Sequence, residues 1–133
     1  MSAIRAFTFK KEERLCSKTL IDRLFNGGKS HSLAAFPLRV VYMEQDNYGE
    51  KPQIQVLISV PKRCFKLAVK RNRVKRQIRE AYRLQKHMLL DTLKKKPNSM
   101  MILAFIWLDT QLYASEEVHK KVGNLLERIR EKV

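Results

Sequence analysis

The sequence predicts a mixed α+β fold in which helices pack over a small sheet, in the order α-β-β-α-β-α. Three segments carry apolar residues at helical spacing, and three others have the alternating or continuous apolar pattern of strands. Segments rich in Gly, Pro, Asn or charge separate them. A chain of 133 residues is long enough to bury a core and short for two domains, so we expect one domain over 1–133.

The first helix is predicted at residues 17–26. Ser17 can cap its start and Gly27-Gly28 can end it. Its apolar stripe comprises Leu20, Ile21, Leu24 and Phe25.

Two strands are predicted next, and we expect them to pair as a hairpin. Residues 34–43 are rich in branched and aromatic side chains, although Pro37 indicates an edge or a bulge near the start. Residues 53–60 alternate apolar and more polar side chains, as a half-buried strand does. The polar segment 44–52 is expected to be the loop between them.

A long basic helix is predicted at 68–93, ended by the segment 94–99 with its Pro97. Residues 67–83 contain seven Lys and Arg against Glu80 alone, so like charges repel along the helix. The apolar stripe comprises Val74, Ile78, Ala81, Tyr82, Gln85, Met88 and Leu89; the cationic face comprises Asn72, Arg73, Lys75, Arg76, Arg79, Arg83 and Lys86. The stripe is suited to packing on a sheet, and phosphates would relieve the repulsion of the other face.

The last two elements are a strand and a helix. Residues 100–108 form a continuous apolar run, too short to cross a bilayer, which suits a strand buried on both faces. Ser115, followed by Glu116 and Glu117, is expected to open the final helix. The apolar stripe of that helix comprises Val118, Val122, Leu125, Leu126 and Ile129.

The charge balance narrows the class of partner. Twenty-eight Lys and Arg against thirteen Asp and Glu give a net charge of +15 and a pI near 10.2, which favours a polyanion. Nucleic acid is favoured over an anionic membrane, since a membrane-surface helix would carry more Trp, Phe and Leu. No run spans a membrane and no signal peptide is recognised, which predicts a cytoplasmic protein. Cys16 and Cys64 are expected to be free thiols, and the scattered histidines predict no metal site.

Residues 59–83, SVPKRCFKLAVKRNRVKRQIREAYR, resemble the signature of the bacterial ribonuclease P protein component, whose hallmark is the motif present here as Arg71-Asn72-Arg73. The likeness extends to KKEERL and LFNGGKS near the start and to MILAFIWL and LLERI near the end. The chain thus resembles the family over most of its length.

The resemblance implies an α-β-β-β-α-β-α sandwich with a left-handed βαβ crossover, similar to a domain of a ribosomal protein. That order adds one strand, around 36–60, to the order read from the residues. It also implies two partners, ribonuclease P RNA and precursor tRNA, whose 5′ leader the complex removes. Magnesium ions held by the RNA would perform the hydrolysis, so no cofactor, catalytic residue or metal ligand is assigned to the protein. Neither a membrane nor a stable protein partner is implied.

Site residues follow from the same resemblance, position by position, with Arg83 added from the cationic face. The predicted RNA-binding residues are Lys62, Arg63, Lys66, Lys70, Arg71, Asn72, Arg73, Lys75, Arg76, Arg79 and Arg83. The predicted leader-binding residues are Ile21, Phe25, Phe36 and Arg39, with Phe36 expected on the strand that faces the cleft. Ile21 stands where the family often has an aromatic residue and Arg39 where some members have tyrosine. For Phe25, a core position remains the alternative.

Three other functions are left open by the residues. A general RNA-binding or ribosomal-type protein would share the basic helix but would have no role in tRNA processing. A stand-alone nuclease would need convergent carboxylates, whereas the acids here are dispersed. A membrane-surface protein would bind anionic vesicles.

Overall fold

The computed structural model describes residues 11–46 and 53–133, which form a four-stranded mixed sheet with helices on both faces. A short 3-10 helix at Lys11–Glu13 precedes the main elements. These are α1 (Lys18–Asn26), β1 (His31–Ala35), β2 (Leu38–Asp46), β3 (Ile54–Ser59), α2 (Ala68–Gln85), α3 (His87–Leu93), β4 (Ser99–Trp107) and α4 (Ser115–Lys132). The α+β class and the order implied by the family resemblance are confirmed, except that the long basic helix is divided in two.

The strand order is β1-β2-β4-β3, with β4 antiparallel to β2 and parallel to β3. The hairpin predicted between 34–43 and 53–60 is therefore wrong, because β4 lies between β2 and β3. As the most apolar strand, β4 is buried on both faces and takes a central position. The parallel β3 and β4, joined through α2 and α3, form a βαβ unit, whose left-handedness stays a prediction.

The actual hairpin joins β1 and β2 through a turn at Phe36 and Pro37, whose peptide bond is cis. The strand added by the resemblance thus lies at 31–35, ahead of the region where it was expected. Pro37 explains the division, because proline has no backbone N–H to donate to a ladder. The segment predicted as one strand is consequently split between two.

Two apolar clusters pack on opposite faces of the sheet. The first lies between the sheet and α2, α3 and α4, and includes Phe105 and Trp107 of β4. The second lies under α1 and includes Ile102 and Ala104 of the same strand. Alternate residues of β4 therefore enter different clusters, which confirms the prediction that this strand is buried on both faces.

The helix ends follow local signals. Ser17 caps α1, with its hydroxyl accepting a hydrogen bond from the Leu20 amide at 3.3 Å.

On the other face of the sheet, α2 approaches α4 closely at Gly123, where an added Cβ would lie 2.3 Å from the Gln85 Oε1 atom. The Gln85 amide also donates to the His119 carbonyl at 2.9 Å. These contacts fix the orientation in which α2 presents its outer face.

Lys86 separates α2 from α3. Helical spacing predicts it on the cationic face, and that prediction is wrong, because Lys86 is 2% exposed. Its ammonium lies 2.6 Å from the Glu13 carboxylate, beyond the reach of any local pattern because 73 positions separate the two residues. The segment 11–15, called here the N-terminal strap, therefore packs against the α2–α3 junction.

Candidate nucleic-acid interface

The basic surface is built on α2 and on the loop that precedes it. Cys64 and Phe65 of this loop are buried in the first cluster and fix the loop to the core. The inner side of α2 packs against the core through the buried residues Val74, Ile78 and Ala81. Most predicted RNA-binding residues consequently point outward: Lys62, Arg63, Lys66, Lys70, Asn72, Arg73 and Arg76 are exposed, and Arg71, Lys75, Arg79 and Arg83 are half-buried.

Little negative charge offsets this surface. Glu80 is the one acid on α2, and it pairs with Arg83 one turn away. This hydrogen bond lowers the pKa of Glu80 and raises the pKa of Arg83. Within the described ranges, none of the other predicted RNA-binding cations forms a salt bridge with a carboxylate. The surface therefore keeps most of its positive charge for an external anion.

Arg71 has a structural contact that the sequence did not indicate. Its Nη1 donates to the Phe65 and Lys66 carbonyls, both at 2.8 Å, and so braces the loop that carries Lys62, Arg63 and Lys66. A guanidinium has five N–H donors, so these two bonds leave others available for phosphate. Arg71 is thus a brace and a candidate RNA contact at once.

The start of α2 adds positive potential. Leu67 occupies the N-cap position without a side-chain cap, and the first turn contains no acid. The first amide N–H groups of a helix lack intrahelical partners and lie at its positive end. Lys66 and Lys70 flank this end, and both are exposed. The helix dipole and the side chains therefore attract an anion to the same place.

A cationic pocket of about 260 Å³ lies at the edge of β3 that does not pair with β4. It is lined by Arg14 of the strap, Cys16, the β3 edge, and Lys75 and Arg79 of α2, with no carboxylate among the lining residues. Arg14 was missed as a site residue, although it belongs to the KKEERL segment of the resemblance. Cys16 is an exposed free thiol, and Cys64 is also free but buried, as predicted for both.

The predicted leader-binding residues lie on or near the sheet face that α1 only partly covers. Ile21 packs against the second cluster with Leu57 and Ile106. Arg39 is paired in register with Ile106, is exposed, and donates from Nε to the Ser32 hydroxyl at 2.8 Å. The part of this face beyond α1 is therefore open and lined by apolar, polar and cationic groups.

Two aromatic residues border this face. Phe25 of α1 is 43% exposed, which excludes the alternative of an ordinary core residue. Phe36 is 58% exposed and lies in the β1–β2 turn, so its expected position on a strand is wrong. The reversal of the chain at Pro37 places Phe36 at one end of the sheet. Both rings are accessible to a stacking partner.

Metal and membrane signals are absent from the described ranges. No group of three or more His, Cys, Asp or Glu side chains within 11–46 and 53–133 is arranged to hold a metal ion. No helix in the same ranges is long and apolar enough to cross a bilayer.

Comparison with known proteins agrees with this geometry. The ribonuclease P family model matches residues 9–130. A ribonuclease P protein component from Porphyromonas gingivalis is 37% identical over 129 residues, which cover 97% of this chain and 91% of the relative. Among solved structures, the RNase P protein of Staphylococcus aureus matches with a TM-score of 0.64 at 21% identity, covering 88% of this chain and 94% of that one. The RNase P protein of Thermotoga maritima matches with a TM-score of 0.63 at 23% identity, covering 87% and 96%. The chain belongs to the ribonuclease P protein family.

Proposed function

We propose that this chain is the protein subunit of a cytoplasmic ribonuclease P, with residues 1–133 acting as one domain. It binds the RNA subunit through the basic surface of α2 and holds the 5′ leader of precursor tRNA on the open sheet face. The observation that carries this proposal is the row of unneutralised cations on a helix whose other side is fully packed, in a chain of this family.

The basic surface suits a folded RNA backbone. Regularly spaced phosphates neutralise a cationic helix face, and the released counterions favour binding. Arginine predominates over lysine within α2 itself, and its planar fork can hold phosphate through two hydrogen bonds. The pocket formed by Arg14, Lys75 and Arg79 is large enough for a phosphate group and has no acid to repel it.

The open face suits a single strand. Aromatic rings stack on bases of any identity, which fits a leader whose sequence differs among tRNA precursors. Phe25 on α1 and Phe36 in the β1–β2 turn carry exposed rings, and Arg39 supplies a cation that is paired in register with Ile106. The contribution of this face to catalysis is the binding and orientation of substrate.

In this proposal, magnesium ions held by the RNA perform the phosphodiester hydrolysis. The protein supports the reaction by neutralising charge on the RNA backbone. Two-metal phosphodiester hydrolysis requires clustered carboxylates or an equivalent set of ligands. The described residues offer no such cluster, so no step is assigned to a protein side chain.

Reconstitution tests the proposal. The protein is combined with a bacterial ribonuclease P RNA and 5′-labelled precursor tRNA, and leader release is followed over a magnesium titration. We expect no cleavage by the protein alone, and cleavage by the complex at lower magnesium than the RNA needs by itself. Cleavage by RNA-free protein would indicate a stand-alone nuclease. RNA binding without any effect on leader removal would instead favour a general RNA-binding protein.

A further inference from the structure

Lys86 is the one charged residue of 11–46 and 53–133 that is almost wholly buried, at 2% exposure. An ammonium in this environment requires a partner, and Glu13 provides it at 2.6 Å. The Glu13 side chain is itself only 19% exposed. Tyr82, buried beside this pair, has its pKa raised by desolvation and further by the Glu13 carboxylate. The ion pair therefore lies inside the fold.

Glu13 belongs to the N-terminal strap, which is fixed along the β3 edge by two further contacts. The Leu15 amide donates to the Val56 carbonyl at 2.9 Å, and the Gln55 side chain donates to the Glu12 carbonyl at 3.0 Å. These hydrogen bonds hold the strap at the sheet edge, and the ion pair attaches it to the α2–α3 junction. Arg14 lies between Glu13, which forms the ion pair, and Leu15, which is hydrogen-bonded to β3.

The cations of α2 that face the strap share one flank. At about 100° per residue, Lys75, Arg79 and Lys86 fall within a narrow sector of the helix. Glu13 neutralises Lys86, whereas Lys75 and Arg79 line the cationic pocket together with Arg14. Glu13 is thus paired at the buried end of this flank, and the adjacent Arg14 adds a third cation to the pocket.

We propose that Glu13 and Lys86 are positioning residues: their buried ion pair holds the strap so that Arg14 lies across the β3-edge pocket from Lys75 and Arg79, and the three cations bind one phosphate of the RNA. This inference rests on the proposed function. A phosphate is the expected ligand because a tetrahedral oxyanion can accept hydrogen bonds from donors on several sides. The pocket is continuous with the basic face of α2, so the same RNA supplies the phosphate.

A double-mutant cycle tests the positioning role. Affinity for ribonuclease P RNA is measured over a range of salt concentrations for Arg14→Gln, Lys86→Met and the combined variant. Removal of one of the three cations from this phosphate should weaken binding and flatten the slope of log affinity against log salt by up to about 1. We expect Arg14→Gln and Lys86→Met each to have this effect and the combined variant to lose no more than either alone.

Arg73→Gln is the matched control, because Arg73 is exposed on α2 and does not line the pocket. Its effect should add to that of Lys86→Met. Additivity of Lys86→Met with Arg14→Gln, or an unchanged slope in Lys86→Met, would overturn the positioning role while the proposed function stands. Unchanged affinity in both Arg14→Gln and Arg73→Gln would overturn the proposed function instead.

A second measurement separates strap release from general unfolding. Hydrogen exchange of the Leu15 amide should quicken at least tenfold in Lys86→Met, whereas the Leu103 amide in the central strand keeps its protection. If Lys86→Met does not fold, Glu13→Gln replaces it in the same cycle. The charge-reversed pair Glu13→Lys with Lys86→Glu should restore both the slow exchange of Leu15 and the wild-type salt slope. Slow exchange in the single variants would contradict the proposal.

Discussion

A cation on this surface can contact RNA, stabilise the protein through internal hydrogen bonds, or do both. The residue type alone does not distinguish these roles. Arg71 and Arg73 are neighbours in one motif, yet only Arg71 donates to backbone carbonyls of the preceding loop. Arg73 is exposed and forms no salt bridge among the described residues. Helical spacing placed both off the apolar stripe, but it could not show that the loop folds back onto Arg71.

The two arginines should therefore respond differently to truncation. Arg73→Ala should flatten the salt slope of RNA binding by about 1 and leave the melting temperature nearly unchanged. Arg71→Ala should weaken binding and also lower the free energy of unfolding by about 1 to 3 kcal/mol, since two hydrogen bonds from a charged donor are lost. Salt-dependent binding and denaturant unfolding of both variants check this expectation. Equal stability of the two variants would contradict the bracing role.

Phe25 and Leu24 provide a similar contrast on α1. Leu24 is fully buried in the second cluster, whereas the Phe25 ring is 43% exposed. A leader base stacked on Phe25 would contribute roughly 1 to 3 kcal/mol. Phe25→Ala should therefore weaken holoenzyme binding of precursor tRNA by roughly 5- to 150-fold and leave mature tRNA binding nearly unchanged.

Leu24→Ala is the control for this prediction. It should lower the free energy of unfolding by about 2 to 5 kcal/mol, as truncation of a buried leucine does. Phe25→Ala should change stability much less. Equal losses of precursor and mature tRNA affinity in Phe25→Ala would show that the leader is held elsewhere. Ile21→Phe, one turn before Phe25, should strengthen the leader-dependent part of binding.

At the scale of elements, the sequence predicted those whose signals are local. Ser17 and the following apolar stripe located α1 within one residue, and the continuous apolar run located β4. Strand pairing was not predictable in the same way, because periodicity shows which face of a strand is buried and not which strand lies beside it. The short β1, with several exposed residues, carries little apolar pattern and was missed ahead of Pro37.

The break between α2 and α3 depends on long-range contact. The apolar stripe continues across the junction, since Tyr82 and Leu89 are both buried, so the sequence favoured one helix. Lys86 lies on the flank between the stripe and the outer face, where its environment depends on the strap that packs there. The sequence thus indicated the cations of α2 and of the loop before it as a candidate site. Its extension to Arg14 required the tertiary structure.

At the scale of the whole molecule, a net charge of +15 makes the folded state repel itself. A bound anion that touches several cations should stabilise the protein beyond ordinary screening by salt. The β3-edge pocket concentrates Arg14, Lys75 and Arg79 around one cavity. The turn after α3 carries Lys94, Lys95 and Lys96 as exposed residues. Lys94 and Lys96 form exposed ion pairs with Asp91 and Glu44, at 3.6 and 3.8 Å. Such pairs contribute little.

These two groups of three cations permit a matched comparison of protein stability in sulfate and in chloride. At equal ionic strength, sulfate at ten times its dissociation constant should stabilise the wild type by about 1.4 kcal/mol. For a chain of this size, that corresponds to a rise in melting temperature on the order of 5 °C. Replacing Arg14, Lys75 and Arg79 by Gln should abolish the difference between sulfate and chloride. Replacing Lys94, Lys95 and Lys96 by Gln removes the same net charge and should preserve it. Because self-repulsion falls equally in both triple variants, loss of the sulfate effect in the lysine-turn variant, or its persistence in the pocket variant, would show that net charge and not the pocket governs the response to anions.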